Sequence, residues 1–187
     1  MTKAEQKKLK ATAYHEAGHA VAAFAMGKRF KKVSVIPNSD EDSLGRVSGC
    51  GWKSKLNPEF DDGARVRNLV EAQIIILLAG PVAEAKLTGQ FNHIGASKDY
   101  EYVVRYASYL TGSSDETTAY INWLIEKTKN VLSTYRWNAL EQLADELIKR
   151  REIAYKAARE IIRKGIDGDL PPLNLKKASA KTDQKAK

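Results

Sequence analysis

The segment "DDGARVRNLVEAQIIILLAGPVAEAKLTG", residues 61 to 89, constrains the fold more than any other part of the chain. Its spacing predicts a long helix whose middle is apolar nearly all round, and a helix without a polar face must be enclosed by other elements. Gly80 and Pro81 are expected to break or kink it, because proline removes a backbone donor and its ring clashes with the preceding turn. The unbroken apolar run "IIILLAG" at 74 to 80 falls well short of the roughly 20 residues that a membrane-crossing helix needs. The expectation is a soluble, cytoplasmic protein with no membrane partner, built round a buried helix. At 187 residues, 43% hydrophobic and 29% charged, the chain supports one domain with a real core.

The remaining segments read as mainly α with a small β-hairpin. A first helix is expected over Ala11 to Met26, stopped by Gly27. "KKVSVIPN" and "LGRVSGCGW" read as the two strands of the hairpin, with Pro37 ending the first and at least one edge exposed. A third helix is expected from Lys98 to Leu110, and two more over 115 to 165 with a break near Tyr135 to Asn138. Cys50 is the single cysteine, so no internal disulfide forms and its simplest role is a small buried hydrophobe. The net charge of +8 sits mostly at the ends: residues 1–10 carry +3, residues 171–187 carry +4, and the body between them +1. The expected division is a basic segment over 1–10, a domain over 11–168, and a flexible basic tail over 169–187. With a near-neutral body, no nucleic-acid partner is expected; salt-sensitive binding through the two basic ends is the reading that would revise this.

"AYHEAGHAVAAF", residues 13 to 24, places two of the chain's three histidines four positions apart with a glutamate after the first. On a helix each residue turns by about 100°, so His15 and His19 lie on one face, one turn apart, where two imidazoles can meet one metal ion. Zinc accepts nitrogen ligands at about 2.0 to 2.1 Å, and a catalytic site takes three protein ligands and keeps one position open. Glu16 projects beside the pair, where a carboxylate reaches an attacking water as general base without being a ligand. Gly18 inside a helix costs roughly 0.5 to 1 kcal/mol against alanine, which points to a close approach by a neighbouring element. The alternative is two ordinary surface histidines. A third ligand is needed, and His93, Asp99, Glu84, Cys50 and the Asp61–Asp62 pair all remain candidates on spacing alone.

"AYHEAGHAV", "KKVSVIPN", "LLAGPVAEAKLTG" and "GASKDYEYVVRYA", in that order, resemble the peptidase domain of the FtsH family of ATP-dependent zinc metalloproteases over roughly residues 11 to 165. The resemblance implies a zincin-like helical domain, one Zn2+ per chain, and Asp99 as third ligand beside His15 and His19, with Glu16 as general base. It also implies that an edge strand, Val33, Ser34, Val35 and Ile36, pairs with an extended polypeptide substrate. Glu84 becomes a runner-up ligand or an acceptor orienting a histidine. No GxxxxGK[ST] segment occurs in the sequence, so ATP-driven unfolding is expected to come from a separate ATPase partner. The rival expectation is a zinc-binding domain without proteolytic activity that binds proteins for such a partner.

Overall fold

Helix α1 runs from Lys3 to Ala25, starting well before the expected Ala11. A capping box explains the difference: the Glu5 amide donates to Thr2 Oγ1 (3.2 Å), and the Thr2 amide donates to the Glu5 carboxylate (2.8 Å). Residues 3–10, read from their charge as a separate segment, thus continue the histidine helix. The computed structural model describes residues 1–37, 45–50, 58, 63–92, 96–133 and 135–168. Asp61, Asp62, His93 and the basic stretch 169–187 lie outside the described residues.

After α1 come β1 (Lys32–Ser34), β2 (Arg46–Ser48), α2 (Ala64–Thr88), α3 (Ser97–Ser108), α4 (Ser114–Val131), α5 (Tyr135–Arg150), β3 (Glu152–Ala154) and α6 (Tyr155–Asp167). The fold is mainly helical with one small antiparallel sheet, as expected. Helix α2 is the enclosed element. Ile76, Ala79, Val82 and Ala83 join a core with α1, α5 and α6, while Val66, Val70, Ile74, Ile75 and Leu78 join a second core with α3 and α4. By length and composition alone α2 could cross a bilayer, but 67% of its most apolar window is buried inside the fold, as befits a core helix.

No break occurs at Gly80-Pro81; α2 runs through both residues. An interior proline costs roughly 3 kcal/mol. Full burial gains roughly 1.5 to 3 kcal/mol for each large aliphatic side chain, and Ile74, Ile75, Ile76 and Leu78 are all at most 3% exposed. Packing on two sides therefore outweighs the one lost hydrogen bond.

The sheet differs from the expected hairpin by a third strand. Its order is β2-β1-β3, with Val33 paired to Val47 on one side and to Ile153 on the other. β1 is the central strand, so Val33 and Ser34 are not an edge; Val35 donates its amide to Arg151 (2.8 Å), and Ile36 donates to Ser34 Oγ (3.2 Å). The expected substrate edge is thus corrected at Val33, Ser34 and Val35, where β3 and Arg151 take up the pairing; Ile36 has no partner on β3. Arg151 makes this possible. It ends α5 in the left-handed region (φ 65°), donating to the Leu147 carbonyl and turning the chain into β3. Among the described residues, 115 to 168 consequently hold three helices and a strand rather than two helices.

Gly18 answers the question its cost raised. A Cβ there would lie 2.4 Å from the Ala79 carbonyl oxygen and 2.8 Å from the Ala83 Cβ, so the α1 backbone meets both main chain and a small side chain of α2 with no room between them. Gly18→Ala gains helix propensity but must push α2 away, and main-chain atoms cannot rotate aside as a side-chain tip does. The variant is expected to be destabilised by about 1 to 3 kcal/mol in denaturant unfolding; stability equal to or above the parent would contradict this packing.

Candidate metal centre

The contact at Gly18 sets the register between α1 and α2, and that register faces two stripes of residues toward each other. On α1, His15 and His19 are one turn apart; on α2, Ile76, Gly80 and Glu84 follow at the same four-residue spacing. His15 Nδ1 meets Glu84 Oε2 at 2.9 Å, and His19 Nδ1 meets the Ile76 carbonyl at 2.7 Å, so the helices run antiparallel here. A carbonyl and a carboxylate only accept, so each Nδ1 carries the hydrogen and donates it. Both Nε2 atoms are thereby turned to the same side. Gly80 lies between the two partners, where a Cβ would sit 2.3 Å from His19 Nε2 and 2.7 Å from His15 Nε2.

Helix α3 supplies the third group. Asp99 stands in its first turn, and one of its oxygens, Oδ2, lies 3.1 Å from His15 Nε2 and 3.3 Å from His19 Nε2. Potential ligand atoms of His15, His19 and Asp99 all lie within 4.8 Å of one another. Donors about 2.0 to 2.1 Å from a tetrahedral zinc are separated by about 3.4 Å, so the two carboxylate–imidazole distances fit such an ion with little movement. The donor set, two imidazole nitrogens and a carboxylate oxygen, is also chemistry zinc accepts. Glu84 is the acceptor that orients His15; its other oxygen accepts from Asn92 Nδ2 at 3.0 Å. Cys50 belongs to the apolar core and not to this cluster.

Glu16 is 5% exposed and packs against Gly45, where a Cβ would fall 2.7 Å from Glu16 Oε1. Burial raises its carboxyl pKa above the ordinary 4.5, against the pull of the His15 and His19 charges. Burial also opposes charge on His15, but hydrogen bonds to Asp99 and Glu84 overcome it and raise the pKa from 6.5 to about 10. His19 is raised in the same sense, against burial, by Asp99. Asp99 and Glu84 are both lowered despite burial, Asp99 chiefly by His19 and Glu84 chiefly by the hydrogen bond from His15.

The Ile76 carbonyl, Gly80, Gly45 and Asn92 were not read from the sequence. The Ile76 carbonyl is a main-chain atom with no sequence signature. Gly80 carried a signal, a glycine amid a helical pattern, but read as a kink. Gly45 lies before a short strand and meets Glu16 only through the tertiary fold.

A model of peptidase family M41 matches residues 1–113. The ATP-dependent zinc metalloprotease FtsH of Rickettsia bellii is 31% identical over 173 residues, spanning 87% of this chain and 25% of that protein. A chloroplastic ATP-dependent zinc metalloprotease FTSH of Capsicum annuum is 29% identical over 175 residues, again 87% of this chain and 25% of the relative. FtsH 3 of Synechocystis, described as an ATP-dependent zinc metalloprotease, is 31% identical over 116 residues, 59% of this chain and 18% of its own length. The chain spans about a quarter of the length of the relatives that it matches most extensively.

At neutral pH His15 without metal holds a proton that a metal ion must displace. Metal uptake is expected to release protons and to tighten as pH rises toward about 10; calorimetry in two buffers of different ionisation enthalpy measures the release, and none would contradict the arrangement. Because the folded-state pKa of His15 lies above its ordinary 6.5, the stability it lends the metal-free fold is fully present below that pH and is lost as pH rises through about 10. Asp99 and Glu84, both lowered, contribute above their ordinary 3.8 and 4.5 and lose that contribution as pH falls below. Gly80→Ala is expected to keep the helix and displace both imidazoles, cutting zinc affinity at least about tenfold; an unchanged competition titration with a chromophoric chelator would refute it.

Proposed function

The chain belongs to peptidase family M41, and from that premise we propose that it hydrolyses peptide bonds in flexible or unfolded polypeptides with one zinc ion held by His15, His19 and Asp99. The observation that carries this reading is the convergence of both histidine Nε2 atoms on one Asp99 oxygen, at 3.1 and 3.3 Å, while both Nδ1 atoms are held from behind. Zinc held there would supply a Lewis acid that polarises a peptide carbonyl and favours ionisation of water near neutral pH.

Glu16 is the general base. It follows His15 directly, precedes His19 by one helical turn, lies against Gly45, and makes no hydrogen bond that commits its carboxylate among the described residues. Its raised pKa moves it toward the working pH, where a base takes a proton from water and returns one to the leaving amine most effectively. Glu84 and the Ile76 carbonyl keep the two imidazoles in one tautomer and one orientation.

Substrate would pair along the outer side of β2 rather than along β1. Among the described residues no strand covers that side, and Gly45, directly before β2, lies against Glu16. Main-chain pairing of this kind is largely blind to side chains, which suits an extended polypeptide. The relatives are named as ATP-dependent, and we assign unfolding of structured substrates to an ATPase acting with this peptidase.

Glu16→Gln preserves the shape of the site and removes the base. On an unstructured polypeptide, cleavage is expected to fall by roughly 10²- to 10⁴-fold with zinc content unchanged, and a chelator should abolish the parent's activity. Equal cleavage by the variant and the parent would overturn the proposal.

A further inference from the structure

We infer that Asn92 is a positioning residue for the metal centre: its side-chain amide holds the Glu84 carboxylate on His15 while its main-chain carbonyl anchors the start of the helix that carries Asp99. This rests on the reading of the metal centre given above and adds a residue to it.

Glu84 has two carboxylate oxygens with two different partners. Oε2 accepts from His15 Nδ1 at 2.9 Å, and Oε1 accepts from Asn92 Nδ2 at 3.0 Å. Since a carboxylate at neutral pH offers no hydrogen, the amide nitrogen of Asn92 must be the atom that faces it. A planar carboxylate held at both oxygens cannot rotate, and the plane it keeps is the one that aims its other oxygen at His15. Glu84 is only 9% exposed, so losing one partner would leave an oxygen poorly satisfied and draw the group toward solvent, away from the imidazole.

The main chain of the same residue reaches the other side of the centre. Ala96, the N-cap of α3, donates its amide to the Asn92 carbonyl at 3.0 Å, and the Ala96 carbonyl in turn accepts from Tyr100, directly after Asp99. Ala96, as N-cap, makes no side-chain cap hydrogen bond. Asn92 therefore links the carboxylate behind one ligand, His15, to the helix start bearing another, Asp99, although α1 and α3 bring those ligands from separate parts of the chain.

Asn92→Asp tests this, because it keeps the volume and the main-chain link but replaces the donor with a like charge facing Glu84. In the full chain, zinc affinity by chelator competition is expected to drop roughly tenfold. In a Glu84→Gln background the same change should cost less than about twofold, since the glutamine amide can donate to the new aspartate. Equal losses in both backgrounds, or none in either, would overturn the inference. A parent protein that takes up no zinc would instead refute the metal-centre reading, and metal-free crystal structures then decide the Asn92 role alone. There the expected result is a Glu84 withdrawn from His15 in Asn92→Asp, and an unchanged contact overturns it.

Discussion

The contact of Gly18 with Ala79 and Ala83 is the constraint on which the rest of the structure depends. Two helices can approach so closely only where one offers no side chain and the other offers small ones. The approach fixes which α2 residues face His15 and His19, and four-residue spacing on both helices then lets each turn of α1 meet one turn of α2. A larger residue at 18 would separate the helices by part of a side-chain width, and the imidazole contacts to Ile76 and Glu84, at 2.7 and 2.9 Å, would have nothing to close the gap. A packing decision and a chemical one are thus the same decision.

Charge makes the centre dependent on its neighbours in a second way. His15, Glu16, His19 and Glu84 are each at most 9% exposed, an unusual concentration of ionisable groups in a core. Buried charges persist only when paired and hydrogen-bonded. His15 and Asp99 pair with opposite effects on their pKa values, and Glu84 joins them through Nδ1. Glu16 differs: burial drives its shift, and the histidine charges only moderate it. Two carboxylates from one cluster therefore hold different protonation preferences, one suited to staying ionised beside a cation and one suited to exchanging a proton. The opposite shifts of Glu16 and Asp99 follow from surroundings, since the two carboxyl groups are chemically alike.

The sequence was legible where the physics is local. Helical spacing placed His15 and His19 on one face, the all-apolar middle of 61–89 declared an enclosed helix, and a glycine between the histidines announced a close approach; the structure has all three. Asp99 was one of several candidates on spacing, and only resemblance to a family favoured it, because 80 residues separate it from His19 and no local pattern encodes that meeting. β3 was missed for the same reason. Three residues between two helices carry little periodicity, and their pairing with β1 joins positions distant in the sequence, such as Val33 and Ile153. Missing β3 turned a central strand into an apparent edge, so one nonlocal omission also misplaced Val33 to Ile36 in the site. The early start of α1 was readable in principle, since Thr2 and Glu5 form the capping-box spacing, but the lysines around them read as a solvated end.

Helix α2 shows why core and site cannot be assigned to different parts of this chain. Its face toward α3 and α4 is aliphatic and stabilises the fold, while the stripe Ile76, Gly80, Glu84 supplies a carbonyl, a space and a carboxylate to the histidines. The three contributions differ in kind, yet each requires the helix to be continuous: a kink at Pro81 would rotate Glu84 relative to Ile76 and leave His15 and His19 served by partners out of register. The packing energy that carries α2 through Pro81 is thus also what holds the two imidazoles in a common orientation. Substitutions of Val66, Val70 or Ile74 in the second core lie at least one helical turn of α2 away from Gly80 and Glu84, and would reach the histidines through the continuity of this helix.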